Sequence, residues 1–166
     1  MRRGVTPGRH VRFVWADSRV KFGPMNILRN IAAFLAAFVV GSITMFALHE
    51  LHMTVWPEET MPPSTASTEE FRAWMATLSL TTMLAATLVH WIGTMAGVAV
   101  GTLVAVPSLE GRRPMWPAYV MGGWFFIGGV ANSIQLGTPT WLTVIDALGY
   151  LPSAIWIGKR MRGSEL

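Results

Sequence analysis

Residues 89–106 read VHWIGTMAGVAVGTLVAV, and Pro107 follows. His90 heads a row of glycines at Gly93, Gly97 and Gly101. At about 100° per residue these four positions fall within roughly an 80° arc of one helix face. The rest of the run is apolar and long enough to cross a bilayer. Glycines four apart let a second helix approach backbone to backbone, and an ionisable group in hydrocarbon must face protein or water. One face of this helix is therefore expected to be buried, with a titratable group at its head.

Composition agrees with a membrane setting. Of 166 residues, 52% are hydrophobic and 13% charged, and eight are tryptophan. Soluble domains carry about 25% charged residues. The net charge of +4 comes from bases at the chain ends and in one short loop. That pattern fits membrane flanks rather than a nucleic-acid surface. The chain has no cysteine, which excludes disulfides, cysteine-ligated zinc, iron–sulfur clusters and thiol catalysis.

Four apolar segments emerge, at about 27–48, 85–106, 116–136 and 141–157. Each approaches the ~20 residues needed to cross a ~30 Å core. Arg2, Arg3, Arg9, Arg12, Arg19, Lys21 and Arg29 precede or open the first segment. The next loop holds Glu50, Glu58, Glu59, Glu69 and Glu70 against Arg72 alone. Arg112 and Arg113 follow in the second loop, the third is uncharged, and Lys159, Arg160 and Arg162 close the chain. This alternation predicts an all-α polytopic protein with four transmembrane helices and both termini cytoplasmic.

Residues 1–24 are basic, aperiodic and punctuated by glycine and proline, and they read as a disordered or upstream-start extension before Met25. The transmembrane domain is expected over 25–160, with a short cytoplasmic tail over 161–166. Residues 49–84 form the sizeable outer loop. Within it, Ser67 and Glu70 have capping-box spacing, and Phe71, Trp74, Met75 and Leu78 follow a helical period. The second helix is therefore expected to begin outside the membrane near residue 68. Pro152 falls inside the fourth segment and is expected to kink it, with Ser153 near the freed backbone.

The polar residues inside the spans fall in one layer. Counting 1.5 Å per residue puts His90 and Asn132 about 6 Å, and Asp146 about 7 Å, below the outer boundary. The Gly137–Thr140 turn makes the last two spans antiparallel neighbours. His90, Asn132 and Asp146 thus form a predicted intramembrane polar cluster. It is either a satisfied interhelical network or a proton-responsive site. Gly93, Gly97, Gly101, Gly128 and Gly129 are the predicted helix-packing glycines. His49 and His52 lack His-Glu-x-x-His spacing and read as an interfacial helix end rather than a metal site. No catalytic, cofactor-binding or metal-binding set is visible.

From Met25 the chain resembles a family of small bacterial inner-membrane proteins, about 140 residues long with four predicted helices. The resemblance lies in Met25-Asn26-Ile27-Leu28-Arg29-Asn30, Val40-Gly41-Ser42, His90-x-x-Gly93-Thr94-x-x-Gly97 and Gly128-Gly129-Val130-Ala131-Asn132. It continues through Pro139-Thr140-Trp141, Asp146, Tyr150-Leu151-Pro152 and Trp156-Ile157-Gly158-Lys159. It implies a four-helix fold in a bacterial inner membrane, and no activity. His90 and Asp146 match the family pattern; His49 and His52 do not. The expected role is structural, accessory or interactive and non-enzymatic. The expected partners are the lipid bilayer and either further copies or a larger membrane complex, with no nucleic acid and no cofactor. A small transporter or proton-linked carrier using the polar cluster is the alternative.

Overall fold

The computed structural model describes residues 24–56, 62–63, 65–108 and 111–163. The expected extension over 1–24 therefore lies, but for Pro24, outside the described residues. All regular structure among those described is helical: α1 (Pro24–Val55), α2 (Thr68–Thr77), α3 (Leu80–Val104), α4 (Trp116–Leu136) and α5 (Thr140–Gly163). Helices α1, α3 and α5 are long and apolar enough to cross a membrane. The 21 residues of α4 intersperse Gly122, Gly123, Gly128 and Gly129 with Trp, Tyr and polar side chains, so its hydropathy is lower.

The helix ends follow local chemistry. Ser67 caps α2: its Oγ accepts the Glu70 N–H at 3.2 Å, and Glu70 Oε2 accepts the Ser67 N–H at 2.6 Å. The chain does not continue helically into the next span, because Leu78 is extended and Ser79 caps α3 afresh, accepting from the Thr82 N–H. Two side chains of α1 serve the end of α3. Arg29 Nε donates to the Val104 carbonyl at 2.7 Å, and Asn30 Oδ1 accepts the Val106 N–H at 3.1 Å. Gly137 ends α4 in a left-handed conformation (φ 70°), and Thr138 N–H closes the turn on the Ser133 carbonyl. Pro152 sits within α5, but Ser153 Oγ donates to the Tyr150 carbonyl at 3.0 Å. The hydroxyl therefore does not serve the carbonyl of Leu148, four residues before the proline, which the proline cannot reach.

Two seams of small residues hold the bundle. The glycine ridge of α3 lies antiparallel on Ala33, Ala37 and Gly41 of α1. A Cβ added at Gly97 would stand 2.5 Å from the Ala37 carbonyl oxygen, and one at Gly93 2.9 Å from that of Gly41. A Cβ at Gly101 would meet the Ala37 Cβ at 2.9 Å. The second seam joins α4 to α5, with Gly122 against Ala154 and Gly158 against Ala118. Val98, Met121, Phe125 and Tyr150 fill the space between the seams. The ridge is consumed within the chain and is not exposed for association between copies. Of the paired glycines Gly128 and Gly129, only Gly129 packs, under the Tyr150 ring; Gly128 meets nothing within 4 Å.

Charge is segregated along the bundle. The start of α1, the ends of α3 and α5 and the start of α4 meet at one end, as the Arg29–Val104 and Gly158–Ala118 contacts require. That end carries Arg29, Arg112, Arg113, Lys159, Arg160 and Arg162, with no acidic residue among those described. The opposite end carries Glu50, Glu69, Glu70 and Arg72.

Candidate functional site

One turn beyond Gly93 on α3, the close approach of α1 ends and side chains must fill the gap. His90 fills it. Its Nδ1 lies 3.1 Å from both Asp146 Oδ1 and Oδ2 on α5, so the imidazole bisects the carboxylate. Asp146 is 5% exposed. One helical turn further along α5, the Tyr150 hydroxyl donates to Asp146 Oδ2 at 3.0 Å. The Tyr150 ring stacks near His90, with centroids 6.1 Å apart and planes 18° apart. Gly129 of α4 leaves room for that ring, because a Cβ there would come within 2.5 Å of the hydroxyl.

The other nitrogen of His90 is also engaged. Its Nε2 lies 3.3 Å from Nε2 of His49 on α1. An ionised Asp146 makes His90 Nδ1 a donor, so the facing Nε2 atoms share one proton between them. A neutral His90 accepts from His49, and a doubly protonated His90 donates to it. Tyr150, Asp146, His90 and His49 thus form one continuous chain of hydrogen bonds across α5, α3 and α1. The neighbouring Trp91 adds a main-chain tie, its Nε1 donating to the Asp146 carbonyl at 3.1 Å. Its indole lies over Gly149, where any side chain would collide with the ring.

The arrangement differs from the expected cluster in two ways. Asn132 is exposed on α4, outside the network. Depth counting placed it at a suitable level, but level does not determine azimuth, and at the Gly129 position α4 presents a gap rather than a donor. His49, read as an ordinary interfacial residue, belongs to the network instead. A signal for it was present: Ala33, Ala37, Gly41, Met45 and His49 recur every four residues, a stripe matching the ridge of α3. His52, one turn further, is buried at 7% exposure and packs on the Trp56 ring, with Nε2 lacking a partner among the described residues. No three His, Asp or Glu side chains among those residues are gathered to hold a metal ion.

The described residues thus form an all-helical bundle of the kind built for membranes, with an ionisable network tying three of its helices. No family model, curated protein or solved structure matches the chain.

Proposed function

We propose that this chain is a four-span protein of the bacterial inner membrane, with both termini cytoplasmic, that acts as a structural or accessory subunit without catalysing a reaction. Helix α4 completes the four spans, its own exposed Trp124, Ile127 and Ile134 facing lipid or a partner. The segregation of bases to one end and acids to the other supports the orientation, and the resemblance read from the sequence supports the compartment. One observation carries the role: the Tyr150–Asp146–His90–His49 chain satisfies its own groups while joining α5, α3 and α1. A network closed on itself fixes helix register. The broad apolar faces left on α1 and α4 are then available for lipid and for a larger assembly.

The test is a double-mutant cycle on His90→Ala and Asp146→Ala, read by thermal unfolding in detergent. A clamp requires both single variants to lose stability, with a coupling of about 0.5–2 kcal/mol between them. Additive losses would remove the clamp. Co-purification from native membranes at low detergent then identifies the assembly, and a chain that always elutes alone contradicts the accessory role.

A proton-linked carrier is the second reading, favoured by one feature. The His90 side chain is 25% exposed and stands between a buried carboxylate and a second imidazole, an arrangement through which a proton can pass. Asp146→Asn in proteoliposomes separates the two readings. A carrier loses proton flux with its fold intact, whereas a clamp shows no flux in either form.

A further inference from the structure

At the basic end of the bundle, α4 begins and α5 ends around a cavity of about 490 Å³. Its walls are Arg112, Met115 and Tyr119 on one side and Lys159, Arg162 and Gly163 on the other. Three of the lining residues, Arg112, Lys159 and Arg162, are cationic. Tyr119, 56% exposed, adds a hydroxyl beside the cations. Next to the cavity on α5, Trp156 is 54% exposed, and the Arg160 guanidinium lies 5.4 Å above its ring, a pairing of aromatic and base suited to the headgroup level.

We infer that this cavity is a binding site for the phosphate headgroup of an acidic phospholipid. Lys159 and Arg162 supply donors for phosphate oxygens, and Arg112 adds its charge to the same wall. The volume exceeds what one inorganic phosphate needs and accommodates a headgroup with its glycerol backbone. Met115 and the Tyr119 ring offer the apolar side that a glycerol and the first acyl carbons require. Basic pockets between spans recognise acidic headgroups by this chemistry. The inference rests on the chain crossing a membrane and is independent of the His90 network.

Native mass spectrometry of the full chain in mild detergent tests it, with phosphatidylglycerol and phosphatidylcholine as probes. Phosphatidylglycerol is expected to be retained about tenfold better than phosphatidylcholine. Arg112→Gln, Lys159→Gln and Arg162→Gln together remove that preference, at about fivefold or less per cation. Arg112→Lys with Arg162→Lys keeps most of it, since charge is preserved, while Arg72→Gln at the other end leaves it unchanged. If the triple variant fails to fold, Arg162→Gln alone, on the last turn of α5, carries the test with a loss of about fivefold. Equal retention of the two lipids, or undiminished retention by the glutamine variants, overturns the assignment. Displacement of phosphatidylglycerol by millimolar inorganic phosphate also overturns it, assigning the cavity to a soluble phosphate.

Discussion

His90 has both ring nitrogens committed, to Asp146 on one side and His49 on the other, so a change at either neighbour alters what the imidazole can do. Tyr150→Phe removes one donor from the carboxylate and leaves the ring packed against Gly129. The expected loss is about 1 kcal/mol, measured as a shift in unfolding midpoint. Gly149→Leu is expected to be far worse, because its side chain would occupy the position of the Trp91 indole. That variant should lose the Trp91–Asp146 tie and show it as a changed tryptophan emission spectrum. At this scale the sequence was legible where periodicity and depth agreed, as for His90 and Asp146. It misled where only depth was available. Asn132 sits at a suitable height on a face that no neighbour covers, and a single helix carries no information about which neighbour that will be.

Between helices, glycines that look alike in sequence meet opposite surroundings, close-packed in a seam or open. Gly97→Leu drives a side chain into the Ala37 carbonyl and should prevent α1 from seating on α3, so that folded protein is lost from detergent extracts. Gly128→Leu meets open space and should leave the unfolding midpoint within about 0.5 kcal/mol of the parent. If both variants behave alike, the seam assignment is wrong. The ridge was legible as a close-packing face, since three glycines on one arc permit little else. Its partner was legible only as the four-residue stripe Ala33, Ala37 and Gly41 of α1, which the larger Met45 and His49 continue and partly disguise. The outer helix α2 was legible from its capping box. Its separation from α3 was not foreseen, since Ser79 is a single polar residue within an apolar stretch. Ser67→Ala is expected to cost α2 about 1 kcal/mol, seen as faster amide exchange over 68–77 while α3 keeps its protection.

Across the whole molecule, charge separates the two ends, and the proposed orientation follows from it. Six bases gather at one end among the described residues, and a reporter fused after residue 163 should report the cytoplasm. A reporter inserted in the loop between α1 and α2 should report the opposite side. A cytoplasmic signal from both would contradict the four-span topology. Composition made the membrane class legible, because apolar runs of this length have few other uses. The expected crossing at 116–136 was less plain, as the glycines and Trp and Tyr side chains that shape α4 lower its hydropathy. Among the described residues, only α1, α3 and α5 are long and apolar enough to cross a membrane.

The antiparallel seating of α1 on α3 also sets a schedule. His49 is synthesised some forty residues ahead of His90, an interval of about 2–8 s at ordinary ribosome speeds. Through that interval the first helix must wait in the bilayer with its small-residue face uncovered and an imidazole unmatched. Its eventual partner is the third helix in chain order rather than the next one made, so the short amphipathic α2 passes first. A competing helix that met α1 during the delay could capture the same face. The protein's yield should therefore depend on translation rate between codons 50 and 90, and synonymous slow codons there should lower it without changing a single residue.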